Sequence, residues 1–181
     1  MARFSLLLAT TVAACLWTAL SPVLAEGIAL PKRETPRPQT TNGVPHVQIG
    51  IDGNPELSAE LLRRVDELPG VNLGPTRVSL PGATGFQLEN DIPLAQPEAI
   101  VGGREFAHLH PDGSLHASLA PETARAAVAA GWAVSHPWSD QREGWEGFIM
   151  IYTPVNDDEL DMVFRLVQSS YSYVTGRPLP E

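Results

Sequence analysis

Three histidines fall within a short stretch of this chain, at positions 108, 110 and 116. Between the second and the third lies Pro111-Asp112-Gly113, which is typical of a three-residue hairpin loop with glycine in the left-handed position. That loop would place His108 opposite His116 on the neighbouring strand. Because strand side chains alternate between the two faces, His110 then lies on the same face as this pair. The spacing therefore predicts three imidazoles that converge on one face of a β-hairpin.

The register of this hairpin decides which side chains meet. With the three-residue loop, Phe106 lies beside the histidines, while apolar side chains on the other face are predicted to enter the core. This apolar set comprises Ala107, Leu109, Leu115, Ala117 and Leu119. A two-residue turn at 112–113 would instead pair His110 with Leu115 and move His116 to the apolar face. The sequence alone leaves both registers open.

Converging imidazoles indicate proton-transfer or metal chemistry. Imidazole titrates near neutral pH, so His108, His110 and His116 could remove the proton of a phenol or an enol, or stabilise the resulting anion. Three imidazoles with an open coordination position are also a common catalytic arrangement for zinc or iron-group ions. Strand alternation places Glu105 on the other face, so no carboxylate of this strand is expected at such a metal site. We predict these histidines as catalytic residues without an organic cofactor; a divalent metal ion bound by the same three residues is the alternative.

A second group of residues is predicted to bind a planar substrate. His136 lies between Trp132 and Trp145, in a segment that contains three of the four tryptophans. Aromatic side chains at this density either border a flat ring or fill the core. The candidate substrate-binding residues are Arg104, Phe106, Trp132, His136, Trp138 and Tyr152.

Caps, turns and hydrophobic periodicity predict the elements that position these residues. The predicted helices run from Asn54-Pro55 to Pro69-Gly70, from Pro121 to Gly131, and from Asn156 or Asp157 to Gly176. Each begins at a capping residue or proline and ends at glycine. Strands are predicted at 76–80, 86–88 and 145–152, in addition to the hairpin. This order predicts a single α+β domain whose antiparallel sheet carries helices on one face.

The composition excludes some classes of partner. The chain has 181 residues, a formal net charge of −9 and a pI near 4.9. Nucleic acids and anionic membrane surfaces select basic patches, so neither is an expected partner. The sequence also lacks a glycine-rich phosphate loop, a serine nucleophile motif and paired cysteines. The expected partner is a small molecule.

The N-terminus has the pattern of an export signal. A short basic start precedes the almost entirely apolar run Phe4–Leu20, and Ser21–Ala25 ends in the small residues that a signal peptidase recognises. We expect residues 1–25 to be a signal peptide cleaved after Ala25, and the protein to be exported, periplasmic or secreted. The alternatives are a membrane anchor over residues 4–24 and lipoprotein processing at Cys15.

The remaining chain is predicted to consist of a linker and one domain. Residues 26–45 are rich in proline, threonine and charge, without an apolar period, and are expected to form an extended linker. The domain is expected to cover residues 46–181. Membrane contact is expected only through the N-terminal segment.

The candidate site residues also resemble a known family. In order and approximate spacing, a set of short motifs is similar to the C-terminal half of the fungal luciferases, within a broader luciferase-domain family that includes many bacterial proteins. The motifs are Arg104-Glu105, Ala107–His110, Leu115-His116, Gly131-Trp132, His136-Pro137, Tyr152–Asn156 and Glu159. The resemblance covers about residues 100–178.

The resemblance implies an oxygenase-type oxidoreductase that uses molecular oxygen on a hydroxylated pyrone with an attached aromatic ring, with no established organic cofactor. The turn between His110 and Leu115 is shorter than in the fungal pattern, so the substrate stays open between pyrones and other hydroxylated aromatic molecules. Light emission is not implied. The alternative functions are an exported module that binds a small aromatic molecule without turnover, and a structural domain of the cell envelope.

Overall fold

Six strands form one sheet in the computed structural model, which describes residues 30–178. The strands are β1 (Val71–Pro75), β2 (Thr84–Leu88), β3 (Glu105–Leu109), β4 (Leu115–Ser118), β5 (Ala133–Ser135) and β6 (Phe148–Ile151). Their spatial order is β1-β2-β3-β4-β6-β5, and every neighbouring pair is antiparallel. The β3–β4 hairpin therefore lies at the centre of the sheet, where both faces can be covered.

Within residues 30–178, three α-helices accompany the sheet, with bounds close to those predicted. They are α1 (Pro55–Asp66), α2 (Pro121–Ala130) and α3 (Asp157–Thr175). The side chain of Asn54 accepts hydrogen bonds from first-turn N–H groups of α1, and Asn156 does the same for α3. Gly131 and Gly176 follow α2 and α3 in the left-handed conformation, with φ of 90° and 69°. These caps are confirmed.

The hydrophobic core lies between the helices and one face of the sheet. α3 packs against β3, β4 and α1. The apolar residues predicted for this face of the hairpin are all buried, and Leu115 and Ala117 are 0% exposed. Burial of one leucine side chain stabilises the fold by about 1.5–3 kcal/mol. The α+β prediction is thus confirmed for the described residues.

The β3–β4 hairpin has the three-residue loop. His108 is paired with His116. The His110 N–H donates to the Ser114 carbonyl at 2.8 Å, which closes the loop. Gly113 has a φ of 82°, in the left-handed region. The first of the two predicted registers is confirmed, and the two-residue turn is excluded.

A bulge at Phe106 interrupts the alternation of β3. Glu105 is paired with Gln87 and Ala107 with Phe86, so two steps along β3 match one step along β2. An extra residue of this kind shifts the side-chain alternation by one position. Phe106 consequently packs in the core against Phe86, and Glu105 lies on the histidine face. The predictions that Phe106 lies beside the histidines and that Glu105 faces away from them are wrong for this reason.

The other strand predictions match the structure in part. Residues 86–88 lie in β2, and β6 occupies the centre of the predicted strand at 145–152. Residues 76–80 form no strand; β1 ends before them. The Glu105 carboxylate accepts hydrogen bonds from the Thr76 hydroxyl and the Arg77 N–H, both at 2.7 Å. These bonds fix a turn at the position of the predicted strand.

Residues 30–48, which we call the N-terminal strap, pack against the domain. The Arg33 N–H donates to the Ala130 carbonyl at 2.9 Å, and the Arg33 residue is 6% exposed. Thr40 and Gln48 form an isolated antiparallel bridge within the strap. Residues 30–45 of the predicted linker therefore contact the domain, and the predicted boundary at residue 46 falls inside the strap.

The predicted signal peptide, the anchor at 4–24 and Cys15 lie outside the described residues. Among residues 30–178, no helix has the combination of length and apolar composition that a bilayer crossing requires.

Candidate active site

All five histidines of the chain line one cavity of about 190 Å³. They are His46, His108, His110, His116 and His136, and each is only 3–4% exposed. The rings lie in contact: the His116 centroid is 4.7 Å from that of His110 and 4.6 Å from that of His136. The three histidines predicted to converge do so, and two more join them. We call this group the histidine cluster.

Separate parts of the chain supply the histidine cluster. His108 on β3 and His116 on β4 are paired across the hairpin, and His110 follows β3 directly. His136 follows β5, and His46 comes from the strap. No local pattern in the sequence marks His46, which was predicted only as the first residue of the domain, in a short strand or at the end of the linker. Its one signal was its residue type, because it was the only histidine left without a predicted role.

A chain of hydrogen bonds connects Glu105 with three of the rings. Glu105 Oε1 lies 2.9 Å from His108 Nδ1, and His108 Nε2 lies 3.0 Å from His116 Nδ1. His116 Nε2 lies 3.2 Å from His46 Nδ1. An ionised carboxylate only accepts hydrogen bonds, so His108 carries a proton on Nδ1. With all rings neutral, His116 donates to His108 and His46 donates to His116, which leaves the Nε2 lone pair of His46 free.

The other two histidines have partners of their own. His110 Nδ1 lies 3.0 Å from the Ser114 hydroxyl, which donates to Asp112 Oδ1 at 2.7 Å. His110 therefore donates from Nδ1 and keeps its lone pair on Nε2. The Trp138 N–H donates to His136 Nδ1 at 3.0 Å, so a neutral His136 carries its proton on Nε2. The two rings offer opposite groups to the cavity, an acceptor from His110 and a donor from His136.

Burial favours the neutral form of four of these rings, those of His46, His110, His116 and His136. It lowers the pKa of His110 to about 4 and that of His136 to about 3, and repulsion from the neighbouring histidines acts in the same direction. Burial is also the first cause that lowers the pKa of His46 and His116. Neutral imidazoles retain lone pairs, so the cluster can accept protons or bind a metal ion.

Glu105 is the carboxylate of the site. Burial raises its pKa, but hydrogen bonds from His108, Thr76 and the Arg77 N–H outweigh that effect and lower the pKa overall. A Cβ at Gly85 would lie 2.6 Å from Glu105 Oε2, so glycine leaves the space that the carboxylate occupies. The site therefore pairs a buried carboxylate with neutral rings.

The rest of the cavity wall is mostly apolar. It is formed by Val44, Pro45, Val78, Ser79, Leu80, Val101, Trp138 and Phe148. An apolar cavity of about 150 Å³ holds benzene, so this volume admits one six-membered ring. Imidazole nitrogens within an apolar wall suit a flat ring that carries a hydroxyl group. Phe148 was not among the predicted site residues, although alternation against Ile149 and Ile151 would have placed it on this face.

Of the predicted substrate-binding residues, His136 and Trp138 line the cavity, with ring centroids 5.1 Å apart. Trp132 and Tyr152 do not. They contact the Arg33 guanidinium instead, with their ring centroids 5.9 and 5.5 Å from its central carbon. The strap occupies the space beside both rings, which explains why they are unavailable to the cavity.

Arg104 and Phe106 do not line the cavity either. The Arg104 guanidinium donates to the backbone carbonyls of Leu88 and Ile92. It thereby ties the segment after β2 to the start of β3. Phe106 is turned into the core by the bulge. Both residues are structural in this fold.

Four of the five histidines of the cluster lie in a segment that matches a known protein family. Residues 103–170 match the Luciferase domain family. The luciferase-domain segment contains His108, His110, His116 and His136 but not His46. The resemblance inferred from the motifs is confirmed.

Several curated proteins extend the similarity beyond this segment. This chain is 27% identical to a luciferase of Armillaria gallica over 169 residues and 28% identical to one of Armillaria mellea over 174 residues. Each match covers 82% of this chain and 62% of the relative. A luciferase of Neonothopanus nambi is 32% identical over 81 residues, which is 41% of this chain and 30% of that protein. The chain thus spans about 62% of the length of the Armillaria relatives. No solved structure matches it.

Proposed function

We propose that this protein is an oxidoreductase that uses molecular oxygen on a hydroxylated aromatic or pyrone-type molecule. The observation that carries the proposal is the histidine cluster: five buried histidines around a cavity that admits a single ring. A binding site for an apolar ring alone would not require so many proton acceptors. A site that ionises a ring hydroxyl needs a free acceptor nitrogen, and the histidine cluster offers two.

The first step is removal of the hydroxyl proton. His46 Nε2 and His110 Nε2 are the nitrogens whose lone pairs the hydrogen-bond network leaves free, so either can accept that proton. The Nε2–H of His136 can donate to the resulting oxygen anion. A proton taken up by His46 can pass through His116 to His108. The positive charge would then lie beside the Glu105 carboxylate, 2.9 Å away.

The second step is reaction of the anion with oxygen. The enolate or phenolate supplies the electron pair for a new carbon–oxygen bond at a ring carbon. The terminal oxygen then takes up the proton from the imidazole. The product is a hydroperoxide that contains both atoms of molecular oxygen, so neither an organic cofactor nor an external reductant is consumed.

The relatives support an oxidative function, because the Armillaria proteins are named luciferases. This chain spans only part of their length, and the activity of the whole relative is extended to it as a proposal. Light emission is not part of the proposal.

Oxygen uptake tests the proposed function. The purified chain should consume oxygen with some members of a panel of hydroxylated pyrones and phenols. The double variant His46→Ala/His110→Ala, which lacks both free acceptors, should lower the rate by a factor of about 100 or more. Glu143→Gln, at an exposed position outside the cavity, is the matched control and should retain the rate. Binding of panel compounds without oxygen uptake above the buffer rate would instead indicate a non-catalytic binding module.

A further inference from the structure

We infer that His108, His110 and His116 form a binding site for one divalent transition-metal ion. One ring nitrogen from each of these residues lies within 4.8 Å of those from the other two. His108 Nε2 and His116 Nδ1 are 3.0 Å apart. Two nitrogen ligands at 2.0–2.1 Å from a tetrahedral ion are separated by roughly 3.3 Å, so only a small shift of these rings would admit the ion.

The second nitrogen of each ring already has a partner. His108 Nδ1 faces Glu105 at 2.9 Å, and His110 Nδ1 faces Ser114 at 3.0 Å. His116 Nε2 faces His46 Nδ1 at 3.2 Å. Metal-binding histidines generally donate their other N–H to a carboxylate, hydroxyl or similar acceptor, which fixes the tautomer and the ring orientation. Metal binding would move the His116 proton from Nδ1 to Nε2. The Nε2–H then donates to His46, and Nδ1 binds the ion.

A competing set, His46, His116 and His136, also brings its nitrogens within 4.8 Å of one another. The hydrogen bond from the Trp138 N–H to His136 Nδ1 argues against it. That bond places the proton of a neutral His136 on Nε2, which is then a donor and not a ligand. His46 is needed as the acceptor for His116. The hydrogen-bond network thus favours His108, His110 and His116 as the ligands. His46 and His136 are not ligands.

The ligand set also indicates the class of metal. Three neutral imidazoles without a thiolate suit zinc, cobalt, copper or ferrous ions, while calcium and magnesium prefer oxygen ligands. The remaining coordination position would face the cavity. There a ring hydroxyl or water could bind, and the ion would lower its pKa. The inference concerns the same site as the proposed function. A bound ion would occupy His110 Nε2 and the His108–His116 contact, and would then ionise the ring hydroxyl in place of these groups. Its binding does not depend on turnover.

Direct metal binding tests the inference. The full chain, purified without a polyhistidine tag and stripped with a chelator, is titrated with Co²⁺ and Zn²⁺. We expect one ion per chain by elemental analysis, and a visible Co²⁺ absorption band of the strength typical of four-coordinate cobalt that Zn²⁺ abolishes. His110→Asn, which keeps a polar group near Ser114, should lose the band. Glu105→Gln should weaken binding by a factor of 10–100.

His136→Ala is the variant that separates the two ligand sets. It should bind both ions with an affinity within a factor of three of the unmodified chain. If it abolishes binding while His110→Asn does not, or if the unmodified chain binds less than a tenth of an equivalent at excess metal, the inference is wrong. Circular dichroism and thermal melts confirm that each variant is folded. Oxygen uptake without metal binding would leave the proposed function standing alone, whereas metal binding without uptake would overturn only the proposed function.

Discussion

The bulge in β3 turns the Phe106 ring into the core and the Glu105 carboxylate toward the histidines. The Phe106 ring lies 6.1 Å from the rings of both Phe86 and Tyr171. Glu105 binds His108 on the opposite face. At the scale of single residues, replacement of Phe106 should therefore affect stability, whereas replacement of a residue on the histidine face should affect the chemistry of the site.

Phe106→Ala should destabilise the protein without altering its chemistry. Loss of a buried phenylalanine costs about 3–5 kcal/mol, because the cavity left behind cannot fully collapse. Trp138→Ala should do the reverse, with a smaller loss of stability and weaker binding of ring compounds. Urea unfolding and ligand titration of both variants check this. If Phe106→Ala keeps the stability of the unmodified chain but binds no ligand, Phe106 lines the cavity and the core position is wrong.

His116→Ala should lower both stability and activity. His116 is buried, and each of its ring nitrogens has a histidine partner, so its removal leaves His46 Nδ1 and His108 Nε2 without a hydrogen-bond partner. The expected loss is about 1–3 kcal/mol. Leu115→Ala, one position away on the core face, should cost about 2–5 kcal/mol and leave oxygen uptake per folded molecule intact. Urea unfolding and oxygen uptake of the two variants test this, and a His116→Ala variant of unchanged stability would mean that these hydrogen bonds do not form in solution.

Residue types and short spacings were enough to predict three members of the cluster. His108, His110 and His116 are set by one hairpin, whose loop residues determine its register. Glu105 could not be assigned, because the bulge depends on how β2 pairs with β3. His46 could not be assigned either, since its approach to His116 spans 70 positions of sequence.

At the scale of elements, the hairpin loop is the critical connection. A Cβ on Gly113 would lie 2.9 Å from Thr153 Cγ2, and its φ of 82° disfavours any branched residue. Gly113→Val should therefore cost about 1–3 kcal/mol. Gly43→Val is the control, because nothing lies within 4 Å of a Cβ there and its φ is not positive. Equal unfolding midpoints for the two variants would show that the loop tolerates strain.

The helices were easier to predict than the strands for a physical reason. Each helix end depends on local capping groups such as Asn54, Asn156 and Gly176. β1 carries Gly74 and Pro75, which are disfavoured within strands, and it is formed by pairing with β2 at the edge of the sheet. Such a strand is specified by its partner and not by its own sequence.

At the scale of the whole molecule, a buried ion pair fastens the strap. Arg33 Nη2 lies 2.8 Å from Glu159 Oε2, and the two side chains are 2% and 7% exposed. The Arg33 guanidinium also donates to the Thr153 carbonyl at 2.9 Å. The ion-paired residues are 126 positions apart, so no local pattern in the sequence predicted their contact.

Removal of one partner should be costly and dependent on pH. Burial raises the pKa of Glu159, but hydrogen bonds from Arg33 and Thr35 lower it overall, below its ordinary value of 4.5. The stabilisation is then complete above pH 4.5 and is lost as the pH falls through the lower pKa of the folded state. Glu159→Gln should destabilise the protein by about 3–5 kcal/mol at pH 7, because Arg33 is left buried and unpaired.

The difference in the free energy of unfolding between the unmodified chain and Glu159→Gln should shrink as the pH is lowered below 4.5. Urea unfolding of both at several pH values measures it, and protonation of the histidine cluster cancels because it affects both alike. Glu60→Gln, which breaks surface ion pairs with Arg63 and Arg64, is the control and should change little at any pH. A constant difference between pH 7 and pH 3 would mean that Glu159 does not titrate as its contacts require.

The strap also means that the segment matching the Luciferase domain family, residues 103–170, is smaller than the part of the chain that forms the cavity. A fragment cut at residues 103–170 would keep four of the five histidines and lose β1, β2 and α1, together with Arg33 and His46. Transplanting that segment into another protein, or screening it alone for activity, would sample a molecule whose cavity lacks one wall. Inactivity of such a fragment would therefore say nothing about the intact chain, and exchanges between relatives should take residues 30–178 as the block.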